Sequence, residues 1–243
     1  MANISLTTIC YAALGGMVPT FLWLWFWLTE EDDHAEPVGL VALTFIGGAI
    51  GVLILLPLKP LVQSLSMSPQ HVTVLYAFLE ECIKYGIVSL VAFNSGAITR
   101  ATDYTVFLVT GALGFSALEN TLYLIKPIAA NTDIGLILIT GNMRFLGATV
   151  LHSISVALIG VLIGLGYTGL KSLRALYTMI GLVLATGLHT VFNYFIMQDT
   201  RQSTIIAISG VWIVAVIVIL LFDRLRSLEA NIKDSYQNNQ LSS

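Results

Sequence analysis

Glu80, Glu81, Glu119, His152 and His189 each interrupt a long apolar stretch of the chain. Carboxylates and imidazoles are the side chains most used for proton transfer and for holding metal ions. An ionisable group near the centre of a bilayer costs at least about 2.5–3.5 kcal/mol on insertion scales, so such groups mark functional sites by default. These residue types in these surroundings point to an enzyme that works inside a membrane. Glu80 and Glu81 are neighbours, so on a helix their side chains point about 100° apart and take different duties. Lys84 follows Glu80 by four residues, the spacing of a helical ion pair. That pairing keeps Glu80 ionised and leaves Glu81 turned towards another helix. His189 and Asn193 are also four apart and share a face. An imidazole N–H and an amide N–H so placed can hold a developing oxyanion together, or Asn193 can bond a neighbouring helix. Asn120 and Arg144 read as groups that orient the others.

These side chains need elements to carry them. The chain has 243 residues, 56% hydrophobic and 10% charged, where a soluble domain carries about 25% charged residues. The composition predicts an all-α, polytopic transmembrane bundle with about seven spanning helices, each needing about 20 apolar residues. They run roughly over 5–28, 38–57, 72–93, 103–125, 143–166, 177–197 and 204–222. One bundle domain over 1–226 is expected, with a motif-bearing core at 72–197 and a polar, disordered tail at 227–243. Ile134 to Thr140 is apolar but too short to cross. It either dips into the surface or extends the fifth span. The first apolar stretch lacks a basic leader and reads as a retained helix. The acidic run Glu30 to Asp33 and the segment Lys59 to Pro69 are breaks, and His34 and His71 read as solvated. Cys10 and Cys82 lie in apolar segments and are expected to be buried, with no disulfide framework. The partners are a lipid bilayer and a substrate from within it. The net charge of −3 and the absence of a Lys/Arg-rich run argue against nucleic acid. The Lys/Arg distribution between loops modestly favours the N-terminus outside, in a multi-pass membrane protein.

Alternating spans bring the polar groups to one depth. Glu81 follows the start of the third span, Glu119 precedes the end of the fourth, His152 follows the start of the fifth and His189 precedes the end of the sixth. At 1.5 Å per residue all lie roughly 9–14 Å below the same surface. A lone intramembrane His or Glu is often a structural bond between helices. Convergence of five such groups argues for a shared pocket.

Glu80-Glu81-Cys82-Ile83-Lys84 reads as E-E-x-x-K, Phe115 to Asn120 as F-x-x-x-E-N, and His189 to Asn193 as H-x-x-x-N, with His152 following Arg144 between them. In this order, each on its own span, the motifs resemble the PrsW family of intramembrane proteases. That family is similar to the CAAX prenyl proteases and bacteriocin-immunity proteins. The resemblance implies an endopeptidase in which the Glu pair and one His activate water. It also implies cleavage of a single-span membrane protein, such as an anti-sigma factor, near its extracytoplasmic boundary. No H-E-x-x-H zinc motif is present, and no Asp lies mid-membrane. Two His and one carboxylate still make a plausible catalytic Zn2+ site, with another Glu as base. Glu81 or Glu119 with His152 and His189 would supply it, and a metal-free Glu/His mechanism uses the same residues. A non-catalytic scaffold and a proton-coupled carrier are the other readings, although the repeated halves and broken helices of carriers are not evident.

Overall fold

A computed structural model of the chain describes residues 4–29, 36–130, 132–167 and 169–241, so the acidic run Glu30 to Asp33 and His34 lie outside the described residues. Regular structure among the described residues is entirely helical: α1 (Leu6–Thr29), α2 (Val38–Leu55), α3 (Leu58–Gln63), α4 (Pro69–Val88), α5 (Asp103–Ala129), α6 (Ile134–Met143), α7 (Val150–Leu165), α8 (Lys171–Ile196) and α9 (Arg201–Leu241). Two π-helical turns extend this set, Ser89–Phe93 after α4 and Arg144–Thr149 between α6 and α7.

Among the described residues, six helices are long and apolar enough to cross a membrane: α1, α2, α5, the run Ile137–Leu165 through α7, α8 and α9. The remaining expected span is α4. It is of comparable length, but Glu80, Glu81 and Lys84 sit in its middle and lower its hydropathy. Ile134 to Thr140 belongs to α6, which continues through its π-helical turn into α7, so this stretch extends the fifth span. The helices outrun their apolar parts. Thus α8 starts at Lys171 rather than near 177, and α9 carries on through the polar segment to Leu241. Hydropathy marks what sits in lipid, whereas backbone bonding ignores that limit. The cysteines differ from expectation: Cys10 is exposed and Cys82 half-buried, both free. Each lies on an outer helix surface, where lipid accepts an apolar thiol as readily as a core does.

Local signals set the ends that matter. Ser68 caps α4 by accepting from the His71 N–H, with Pro69 in the first turn, where a missing N–H costs nothing. α5 is buried without a break from Asp103 to Ala117, and α7 from Val150 to Ala157. Helices enclosed on every side form the core of a bundle. α1 and α2 pack against α5, α8 and α9 against α7, and α4 bridges α2, α5 and α8. Glycine permits the tightest crossing. A Cβ on Gly114 would stand 1.8 Å from the carbonyl oxygen of Phe45, so α5 and α2 meet backbone to backbone. The same close approach recurs where Gly160 of α7 faces the Thr105 backbone of α5. The result is a layer in which α4, α5, α7 and α8 face one another.

Candidate active site

α4 places Glu80, Glu81 and Lys84 in that layer, all buried. Three of its polar neighbours belong to other helices: Glu119 on α5, His152 on α7 and His189 on α8. The five residues expected to converge do so.

Glu81 is fully enclosed and its oxygens are all engaged. Oε1 accepts from Lys84 Nζ at 2.6 Å and from His189 Nδ1 at 2.7 Å. Oε2 accepts from the Ser155 hydroxyl at 3.2 Å. Lys84 therefore pairs with Glu81, three residues before it, and not with Glu80 as its spacing of four suggested. Both separations lie on one helical face, and the deciding factor is that Glu81 and Lys84 turn together towards α7 and α8. Lys84 Nζ also lies 3.1 Å from His152 Nδ1 and 5.5 Å from the centroid of the Phe115 ring.

Glu80 differs. Its Oε2 is buried without a hydrogen-bond partner, 3.5 Å from His189 Nε2. Glu81 accepts at Nδ1 of His189, so that nitrogen carries the proton and Nε2 presents a lone pair. Two acceptors thus face each other, too far apart for a direct O–H···N bond of ordinary length.

On the other side of His152, Glu119 Oε2 accepts from His152 Nε2 at 3.2 Å and from Arg144 Nη2 at 2.6 Å. Arg144 Nε also donates to Asn120 Oδ1, and its guanidinium lies 4.4 Å from the centroid of Tyr123. The Asn120 amide donates to Ser116 Oγ at 3.2 Å and Thr149 Oγ1 at 2.9 Å. Asn120 and Arg144 thus bond to one another, and Arg144 to Glu119. Asn193 does not join: it is half-buried one turn beyond His189, and no bond of the network reaches it. His71 is exposed and bonded to Ser68.

Sequence reasoning gave no role to Ser155, Ser116 or Thr149, and named Phe115 only as part of the F-x-x-x-E-N motif. Two of them carried a signal, because Ser155 follows His152 at helical spacing and Ser116 precedes Asn120 by one turn. The π-helical turn had none. It rotates Arg144 relative to α7, and such turns recur at functional sites.

Access is one-sided. Glu119 and Arg144 retain 24% and 18% side-chain exposure, whereas Glu81 and Lys84 have none. On the surface where α5 ends, the Thr73 hydroxyl of α4 meets Met197 Sδ after α8 at 3.6 Å, and Tyr76 OH donates to the Lys59 carbonyl of α3 at 2.7 Å. The partly exposed side of the site is therefore the Glu119 side.

Among the described residues, Glu80, His152 and His189 form a group of three whose candidate ligand atoms all lie within 4.8 Å of one another. Glu80 takes the carboxylate place expected for Glu81 or Glu119, because the oxygens of Glu81 are engaged. Glu80 Oε2 and His189 Nε2 offer unengaged lone pairs and fit a cation. His152 does not complete the set as placed, since both its ring nitrogens already have protein partners.

A family model described as PrsW family intramembrane metalloprotease matches residues 36–221. Protease PrsW of Halalkalibacterium halodurans is 25% identical over 196 residues, covering 76% of this chain and 83% of the relative. Protease PrsW of Geobacillus kaustophilus is 25% identical over 192 residues, covering 76% and 80%. The corresponding protein of Clostridioides difficile is 24% identical over 192 residues, covering 75% and 78%. No solved structure matches the chain.

Proposed function

The chain belongs to the PrsW family of intramembrane metalloproteases, and from that membership we propose that Glu80 and His189 activate the water that cleaves a peptide bond within the bilayer. The protein is a multi-pass intramembrane protease. One observation carries the division of labour: of the two adjacent glutamates, Glu81 has every oxygen bonded while Glu80 keeps a buried oxygen unpartnered opposite a bare imidazole nitrogen.

Two facing acceptors are satisfied together by a molecule that donates to both. A water held between Glu80 Oε2 and His189 Nε2 gives one proton to Glu80 as its oxygen attacks the scissile carbonyl. Glu80 then returns that proton to the leaving amine. Glu81 holds His189 by its Nδ1–H, so the ring cannot turn its lone pair away. Arg144 and Asn120 hold Glu119 at the mouth, and Asn193, one turn nearer the surface, is a candidate amide donor to the substrate backbone. A divalent ion such as Zn2+ held by Glu80 and His189 would supply Lewis acidity to the water and the carbonyl.

The substrate class follows from depth and access. The bonds open to attack lie under the surface at the Glu119 side, so a single-span membrane protein fits better than a soluble chain. An anti-sigma-factor-like protein cut near its extracytoplasmic boundary agrees with the family resemblance and with an N-terminus outside. Purified chain in lipid nanodiscs, with a fluorogenic single-span reporter, tests this. Glu80→Gln and His189→Gln are expected to lose cleavage while melting like the parent. Cleavage by Glu80→Gln at the parental rate would overturn the assignment.

A further inference from the structure

We propose that His152 is held as a hydrogen-bond donor and not as a metal ligand, and that Lys84 is the positioning residue that holds it so; this rests on reading the pocket as the protease site. A neutral imidazole has one N–H and one lone pair. The Lys84 ammonium, ion-paired with Glu81 at 2.6 Å, has only protons to give. His152 Nδ1, at 3.1 Å from it, is therefore the acceptor and carries no proton. The proton sits on Nε2, which faces Glu119 Oε2 at 3.2 Å. Glu119 is bound by Arg144 as a carboxylate and can only accept. The neighbours on both sides of the ring thus impose the same tautomer.

His189 is fixed the opposite way. Its Nδ1–H goes to Glu81 and its Nε2 lone pair faces Glu80. The two rings, 5.2 Å apart between centroids, present a lone pair and an N–H to one pocket. A metal needs the in-plane lone pair, and the one on His152 is aimed at an ammonium. Of the three clustered residues, Glu80 and His189 remain as ligands for a divalent cation. The N–H of His152, on the partly exposed side of the site, is given to Glu119, which it and Arg144 hold in place together. Lys84 makes this possible from a distance. It touches neither substrate nor cation, and it is neutralised by the same Glu81 that orients His189.

The test uses full-length protein in nanodiscs labelled with 15N-histidine, the His152 signals being identified by their loss in His152→Gln. The parent is expected to show His152 with a bare Nδ1 and a protonated Nε2, and His189 the reverse. Lys84→Met alone leaves Glu81 buried without a counter-charge, so the double variant Lys84→Met/Glu81→Gln is measured as well; its amide oxygen still accepts from His189 Nδ1. In both, Glu119 alone is left to hold the proton on Nε2, and a minor His152 population with the proton on Nδ1, absent from the parent, is expected to appear. Zn2+ binding supplies a second readout: His189→Gln is expected to weaken it by more than the about 10–100-fold that loss of an outer-shell partner costs, while His152→Gln leaves it near the parental value. A proton on Nδ1 of His152 in the parent, or a Zn2+ loss in His152→Gln as large as in His189→Gln, overturns the proposal. If the parent binds no Zn2+, the nitrogen spectrum alone decides. Parental cleavage by Glu80→Gln would remove the protease site but leave the tautomer assignment standing.

Discussion

Two clusters of charged side chains lie at opposite ends of α5. At its N-terminus, Asp103 Oδ2 accepts from the Thr99 and Arg100 backbone N–H groups, each at 2.7 Å, and Oδ1 from Arg100 Nε at 3.1 Å. Beside it, Glu229 of α9 accepts from the Ala101 N–H at 2.7 Å and from the Thr102 hydroxyl at 3.4 Å. Each carboxylate oxygen there closes a turn or a helix end. At the other end, Glu80 retains a buried oxygen that nothing in the protein satisfies. Both clusters are polar and both tie helices together. What separates them is whether the protein completes its own bonding. An unsatisfied buried group costs about 1–3 kcal/mol or more if charged, and among the carboxylates of the two clusters Glu80 is the one that keeps such an oxygen. Under the proposed function the Glu80 cluster is assigned the chemistry and the Asp103 cluster the architecture.

The largest effect expected from this contrast is on rate. Glu80→Gln keeps the size of the side chain but removes the base, and kcat is expected to fall about 10²–10⁴-fold with the thermal midpoint unchanged. A reporter assay paired with thermal unfolding in detergent checks both halves. Glu81→Ala is expected to behave differently although it is the adjacent residue. It strands the Lys84 ammonium in a buried site, which costs about 3–5 kcal/mol. The double variant Glu81→Gln/Lys84→Met is expected to recover much of that stability, with cleavage still below the parental rate because a neutral amide holds His189 less firmly than a carboxylate. Equal melting of Glu80→Gln and Glu81→Ala would erase the distinction between the two glutamates.

That distinction was only half legible in the sequence. The E-E-x-x-K spacing and the common depth of four helices identified the pocket, because the helical rise fixes depth from residue count alone. Rotation about the helix is less constrained. Spacings of three and four both lie on one face, so Lys84 could be matched to Glu80 or Glu81, and only the direction taken by α7 and α8 decided. The metal-ligand reading inherited this ambiguity, naming Glu81 or Glu119 where Glu80 stands beside the two His. His189 was expected to donate to an oxyanion with Asn193, but Glu81 claims its N–H. The π-helical turn at Arg144–Thr149 left no trace either, since hydropathy does not record which carbonyl each amide bonds. The bundle itself, by contrast, was readable from apolar length, with errors confined to helix ends.

The next prediction moves to the architectural cluster. Asp103→Asn removes the charge from the bonds to Thr99 and Arg100 and is expected to cost about 1.5–3 kcal/mol, the worth of hydrogen bonds to a charged group. The rate per folded molecule is expected to stay at the parental value, read from active-site-normalised cleavage after the folded fraction is measured. A large fall in that normalised rate would mean that the two ends of α5 are coupled and that satisfied bonding is no guide to role.

The smallest effect tests the boundary between the two kinds of region. Trp212 of α9 donates its indole N–H to the Leu146 carbonyl at 2.9 Å, inside the π-helical turn that carries Arg144. A π-helical turn displaces carbonyls from their usual partners, and Trp212 supplies one with a donor from a neighbouring helix. Its ring also packs 5.9 Å from Trp23 of α1, centroid to centroid, so the side chain has a packing role apart from the bond. Trp212→Phe keeps much of the ring and loses the donor, which is expected to cost about 0.5–1.5 kcal/mol. If the turn aims Arg144 at Glu119, kcat falls a few-fold as well, and Trp212→His, which offers a ring N–H again, restores part of it. If the turn only joins two helices, stability falls and the rate per folded molecule does not. The pair of measurements therefore assigns the turn to the chemistry or to the scaffold, and with it the side of the comparison on which Arg144 belongs.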